Sequence, residues 1–153
     1  MEKGVKIKRV LVIASNTQIE RQNSFKEELK KICPTCEVVI DKSGRFNRDY
    51  ARRIAVSHLT TAIDENRPFD VVFCTSDSMT LGCLDAVAEI TTCKECKKPR
   101  VIGYDGIPLI RQFVESGDSA LERVIVQETH DIAVAAVEQL IRLFQGEDIK
   151  GAG

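Results

Sequence analysis

The sequence predicts a three-layer α/β domain: a parallel five-stranded sheet, flavodoxin-like, with helices on both faces. Three observations predict it. Short apolar runs alternate with stretches of helical period, five times over. Those runs are unbroken, the pattern of strands buried on both faces in a parallel sheet. The 153 residues are 43% hydrophobic and 29% charged, a balance that suits one globular domain. Right-handed crossovers leave few topologies, and the order 2-1-3-4-5 is the simplest for five strands.

Each element has its own signal. Lys8–Ala14 is an apolar run of strand length. Thr17–Ile32 has helical spacing, with Phe25, Leu29 and Ile32 on one face. Glu37–Ile40 is a short β-branched run, and Tyr50–Ile63 returns to helical period through Tyr50, Ile54, His58 and Ala62. Asp70–Cys74 is a second clear buried strand. The helix Met79–Ile90 carries the stripe Met79, Cys83, Val87 and Ile90. Val101–Tyr104 is a strand, and Leu109–Glu115 a short helix stopped by Gly117, a residue suited to a left-handed cap. Arg123–Val126 is the last strand and Asp131–Phe144 the last helix, ended by Gly146. The domain is expected to span residues 1–147, with 148–153 a polar, Gly-rich flexible tail.

The totals exclude several classes. The formal net charge is −1, so direct nucleic-acid contact is not expected, and the basic runs Lys3–Arg9, Arg45–Arg53 and Lys94–Arg100 read as solvated faces. No apolar run nears the roughly 20 residues of a membrane span. Val10–Ala14 is too short for a signal-peptide core, so the chain as given is expected to be cytoplasmic, or periplasmic if excised from a longer exported protein. A phosphoreceiver would need an acidic pair after the first strand, where Ala14-Ser15-Asn16 stands. A flavin site would need a phosphate loop, and Ser15-Asn16-Thr17-Gln18 lacks glycine. No glycine-rich nucleotide motif and no nucleophile–histidine arrangement appear; His58 reads as packed or surface and His130 as a local cap. No enzyme activity and no cofactor are expected.

Ligands of open parallel sheets sit beyond the strand C-termini. The loops there are 15–18, 41–47, 75–78, 105–108 and 127–131, all polar. Ser15, Asn16 and Thr17 can cap a helix and offer N–H groups. Asp77 and Asp105 follow buried strands, so both carboxylates are expected in one cleft, with Gln127 nearby. Such groups suit sugar hydroxyls, which donate and accept together. The competing reading of Asp77 and of Asp131 is a helix cap.

Thr75-Ser76-Asp77-Ser78-Met79-Thr80-Leu81-Gly82 resembles the N-D-x-M-A-L-G segment of the type I periplasmic binding proteins, and Val101-Ile102-Gly103-Tyr104-Asp105-Gly106-Ile107-Pro108 resembles their V-V-G-F-D-G-x-P segment. Arg21-Gln22-Asn23-Ser24-Phe25 is similar to the R-x-x-G-F that opens the first helix of their C-terminal lobe. Gln127 matches T-x-x-Q, and Leu143-Phe144-Gln145-Gly146-Glu147 matches L-L-x-G-E. The family includes ribose-binding-type receptors and the ligand domains of lactose-repressor-type regulators. The resemblance implies that Arg21 and Asp77 bond sugar hydroxyls, that Gln127 lies beside the hinge, and that no catalysis occurs.

The departures are Ser76 for the motif Asn, Ser24 for the motif Gly, and a missing N-terminal lobe. Arg53 falls where the family often carries Asn, which admits a sugar acid as well as a sugar. In the family the segment after V-G-F-D-G-x-P completes the other lobe. Here that segment is Arg123–Phe144, whose helix carries Ile132, Ala136, Val137, Leu140, Ile141 and Phe144. Burying six such side chains is worth on the order of 10 kcal/mol in transfer terms. The expectation is that it folds onto this sheet; the alternative is pairing with a second lobe or a homodimer partner.

Of six cysteines, four form two C-x-x-C pairs, Cys33/Cys36 and Cys93/Cys96, both at the N-terminal edge of the sheet. Cys74 and Cys83 read as buried small hydrophobes. Knuckle spacing allows a structural zinc on Cys33, Cys36, Cys93 and Cys96, although the second and fourth strands lie roughly 14 Å apart at about 4.8 Å per strand. Disulfides and free thiols stay open beside it. The functional expectation is a small-molecule-sensing lobe of a transcription regulator or solute-binding receptor, taking a sugar-like polar ligand at Asn16, Arg21, Arg53, Asp77, Asp105 and Gln127. The alternative is an interaction or dimerisation domain that kept the scaffold without the ligand.

Overall fold

The fold was obtained as a computed structural model that describes residues 7–90, 97–117 and 119–146. Strands and helices alternate: β1 (Arg9–Ile13), α1 (Ile19–Ile32), β2 (Glu37–Asp41), α2 (Arg48–Asp64), β3 (Val71–Cys74), α3 (Asp77–Ile90), β4 (Arg100–Asp105), α4 (Pro108–Ser116), β5 (Leu121–Val126) and α5 (Thr129–Phe144). The sheet order is β2-β1-β3-β4-β5 and every neighbouring pair is parallel, as the alternation predicts. Among the described residues no helix is long and apolar enough to cross a membrane.

Local chemistry sets the element ends. α1 starts at Ile19 rather than Thr17 because Gln18 takes a left-handed conformation, φ 56°. α2 starts earlier than its apolar stripe, at Arg48, because the Asn47 side chain accepts from Asp49 N and Tyr50 N at 2.9 and 3.1 Å. α4 opens on Pro108 and stops at Gly117, φ 67°. The β4–β5 register shifts between Val101 and Ile102.

The sheet buries a core on each face. On one, Leu11, Ile13, Val72, Cys74 and Val101 meet Ala55 and Leu59 of α2, Met79 and Cys83 of α3, and Ile110 of α4. On the other, Val10, Val12, Val71 and Phe73 meet Phe25 and Leu29 of α1. Phe25 stacks on Phe73 with ring centres 4.3 Å apart.

Three expectations of facing are corrected. Ile32 is 84% exposed, and the sheet-facing row of α1 runs instead through Gln22, which is fully buried, to Phe25 and Leu29. Ile32 closes the helix off that row, and the next residue, Cys33, packs against the core in its place. The buried stripe of α2 is Ala51, Ala55, Leu59 and Ala62, while Tyr50 is half exposed beneath the Arg45 guanidinium. Small residues win there because α2 packs directly on α3, where a Cβ on Gly82 would collide with Arg48 O. The largest correction concerns α5: it does not fold onto the sheet, and none of its residues is buried. Ile132, Val137, Leu140, Ile141, Leu143 and Phe144 are each at least half exposed. The sheet face it was expected to cover offers a poor seat. β5 presents exposed Arg123 and half-exposed Ile125 there, and Tyr104 of β4 is already covered by Arg21.

Candidate functional site

At the C-terminal ends of β3 and β4 the chain gathers charge. Arg21, in the first turn of α1, reaches across the sheet end. Its Nη1 donates to Thr75 O at 2.7 Å and to Asp105 Oδ1 at 3.2 Å. Its guanidinium carbon lies 4.1 Å from the centre of the Tyr104 ring, a cation–π contact. Both hydrogen bonds use one nitrogen, so among the described residues Nε and Nη2 keep their N–H groups for another partner. Asp105 is clamped through Oδ1 only. Its Oδ2 has no bond among the described residues, and the side chain is 32% exposed. The residue stands at φ 90°, followed by Gly106 at φ 81°.

Asp77 has a different task. It is the first residue of α3, yet its carboxylate does not cap that helix. Ser76 does so, its Oγ accepting from Met79 N at 3.3 Å. Asp77 Oδ1 accepts from Gly106 N at 3.1 Å and Oδ2 from Ile107 N at 2.7 Å. The corner after β4 is therefore hung on a carboxylate from the preceding βα unit, and Arg111 Nε closes it by donating to Gly106 O at 2.7 Å. Burial pushes the Asp77 carboxyl above its ordinary value; the Ile107 and Gly106 N–H groups pull against that, and the Asp105 charge adds to it.

Gln127 joins the same place. Its backbone N–H donates to Asp105 O at 3.0 Å, and it lines a groove with Asp105, Ile107, Arg111 and Thr129. Four of the six expected ligand residues thus meet: Arg21, Asp77, Asp105 and Gln127. Asn16 is exposed on the loop after β1, beside the turn in which Ser15 Oγ accepts from Thr17 N. Arg53 is exposed on α2, more than one turn from its start, and among the described residues no hydrogen bond or ion pair joins it to the cluster. Sequence reasoning missed Tyr104 and the Thr75 carbonyl as supports of Arg21. An aromatic side chain just before the strand-end aspartate was the only signal available for either. His58 bonds Asp41 Oδ2 at 2.9 Å, at the end of β2. Asp131 is not the cap of α5, which opens at Thr129.

Cys33 and Cys36 sit together at the opposite edge and are free thiols, as are buried Cys74 and Cys83. Cys93 and Cys96, the second half of the expected zinc set, lie outside the described residues. Among the described residues no group of three or more His, Cys, Asp or Glu side chains is placed to hold a metal.

The family model of the periplasmic binding protein domain matches residues 6–148, nearly the whole chain. The chain belongs to the periplasmic binding protein domain family. A curated member, the D-allose-binding periplasmic protein of Escherichia coli (strain K12), is 28% identical over 121 residues, which are 79% of this chain and 36% of that protein. Solved structures share the fold. A periplasmic solute binding protein of Actinobacillus succinogenes 130z with bound D-allose superposes with a TM-score of 0.77 at 21% identity, over 94% of this chain and 49% of its own. An arabinose binding protein of Geobacillus stearothermophilus gives 0.75 at 23% identity, over 95% and 47%. A LacI family transcriptional regulator of Arthrobacter sp. FB24, complexed with lactose, gives 0.68 at 20% identity, over 92% and 50%. This periplasmic binding protein domain thus spans between a third and a half of the length of these relatives, and it is a single lobe of the shared fold.

Proposed function

We propose that the chain is the sugar-sensing lobe of a solute-binding receptor or transcription regulator, and that it binds without catalysing. The carrying observation is the half-engaged pair at the strand ends: Arg21 with N–H groups to spare, and Asp105 with one oxygen clamped and one unpaired. A vicinal diol needs just that, a charged donor and a charged acceptor side by side. D-allose and lactose are bound by relatives of the same fold, which makes sugars the natural first probes. Asp77 acts in this proposal as a positioning residue, holding the corner that carries Asp105.

One lobe supplies one wall of a cleft, so tight binding needs a second wall. The apolar row of α5 supports that reading, because an amphipathic helix of this kind is stable in water only when covered. The proposed cover is the lobe that the longer relatives possess. The same row favours the second reading, a homodimerisation domain.

Backbone NMR of the chain titrated with D-allose, L-arabinose and lactose at millimolar concentration separates the two. Sugar binding predicts saturable shifts at Arg21, Asp105, Ile107 and Gln127. It also predicts at least about tenfold weaker binding in Arg21→Ala and Asp105→Ala, since each removes a hydrogen bond to a charged group worth about 1.5–3 kcal/mol. No shift with any sugar, together with a firm dimer by light scattering, establishes the second reading instead.

A further inference from the structure

The turn between α1 and β2 carries Cys33-Pro34-Thr35-Cys36. Cys33 ends α1 outside helical geometry, at φ −133° and ψ 79°, and its carbonyl accepts from Cys36 N at 3.1 Å. That bond from residue i+3 to residue i closes a β-turn, which holds the two Cα atoms within about 7 Å. Disulfides span about 4.4–6.8 Å between Cα atoms. Within the turn Cys33 Sγ donates to Ile7 O and Cys36 Sγ to Glu37 O at 3.7 Å, so each thiol is held by a weak bond to a backbone carbonyl. The turn is braced from both sides. Lys30 Nζ donates to Pro34 O at 3.2 Å and to Cys36 O, and Cys33 Sγ donates to Ile7 O at 3.3 Å. The two sulfurs differ in access: Cys36 is fully buried, whereas Cys33 is partly exposed.

We propose that Cys33 and Cys36 form a reversible disulfide, a redox-responsive clip on the α1–β2 turn made by exchange with a low-molecular-weight disulfide. Cys33, the accessible sulfur, attacks the reagent as a thiolate. One reagent thiolate leaves and a mixed disulfide forms on Cys33. Cys36 then attacks the Cys33 sulfur and displaces the second reagent thiolate. One S–S bond breaks and one forms. Two electrons pass from the cysteine pair to the reagent, and the two cysteine protons end on the two released thiols. Burial, with the neighbouring Cys33, pushes the Cys36 thiol up, while the Lys30 ammonium pulls it down and favours the thiolate that the second step needs. Cys74 and Cys83 are both fully buried, so an external disulfide does not reach them. The clip lies at the opposite end of the sheet from Arg21 and Asp105, and its test is independent of sugar binding.

The test equilibrates the purified chain with graded mixtures of oxidised and reduced glutathione, then caps remaining thiols with N-ethylmaleimide under denaturing conditions. The expected result is protection of two of the six cysteines, a mass two hydrogens lower, and a peptide linking Cys33 to Cys36, all reversed by excess reduced glutathione. Cys36→Ser should stop the exchange at a glutathione adduct on Cys33, and Cys93→Ser/Cys96→Ser should keep the link. Six capped cysteines at every poise would overturn the proposal. So would a crosslink from this pair to Cys93 or Cys96, or one equivalent of copurified zinc that protects the thiols until a chelator is added.

Discussion

Asp105 occupies a backbone conformation that most side chains avoid. At φ 90° a non-glycine residue costs on the order of 1–3 kcal/mol. The strain persists because its neighbours hold it from several directions: Arg21 on the carboxylate, Gln127 N–H on the carbonyl, and the next two amides on Asp77. Asp70 shows what such ties do to stability. Burial raises its carboxyl, but the Lys97 ammonium and the Lys8 and Arg9 N–H groups outweigh it and hold it below the ordinary value. A carboxyl held low in the folded state stabilises above its unfolded pKa, about 3.9, and loses that contribution as pH falls through the folded pKa. Asp70→Asn should therefore be less stable than the parent at pH 7 by about 1–2 kcal/mol. The gap should narrow as pH falls below the unfolded value and through the lower folded pKa, read by urea unfolding at pH 7 and in acid. Of the clustered residues, Asp105 and Gln127 were legible from chain position, each ending a strand, whereas Arg21 was legible only through the family resemblance. Asp77 was legible only in part, because a carboxylate at a helix start looks like a cap, whereas its true partners lie about thirty residues away. Gln22 was missed because periodicity assigns amides to solvent, yet it is fully buried, with no partner for either amide atom among the described residues.

At the scale of elements, α2 and α3 make the closest helix pair. The ion pairs Arg48–Asp85 and Arg52–Glu89 bridge them outside, and Gly82 lets them touch inside. A Cβ on residue 82 would meet Arg52 N at 2.9 Å and Ala51 Cβ at 3.0 Å, as well as Arg48 O. Gly82→Ala should destabilise the chain by about 1–3 kcal/mol in denaturant titration, because backbone on both sides must shift. This contact also explains why the apolar spacing of α2 misled. Tyr50, Ile54 and His58 mark a plausible face by size and period. The partner selects small residues: Ala62 was on the expected stripe and is buried, but Ala51 and Ala55 carry little hydrophobic signal and were missed. Strand existence was far more legible, since continuous apolar runs admit few other readings.

At the scale of the whole molecule, the two ends of the chain's second half behave differently. β5 completes the sheet through its pairing with β4, while α5 leaves its apolar row in water and the outer face of β5 unroofed. Counting apolar residues showed that the helix needs a cover but not where the cover lies. Replacing Leu140 with Glu and Ile141 with Lys should change unfolding stability by no more than about 0.5 kcal/mol. The same pair of changes should abolish association with a second lobe or a second copy, read by light scattering. Catalysis and transport do not enter this expectation; it concerns only which surface is waiting for a neighbour.

The hold of Asp77 on the amides of Gly106 and Ile107 has one more consequence. It ties the rim of the crevice to the interior of the preceding unit, so the rim's shape is set by bonds within the lobe itself. A guest arriving there would find its host already in shape, and little of the energy of capture would be spent on ordering the wall that receives it.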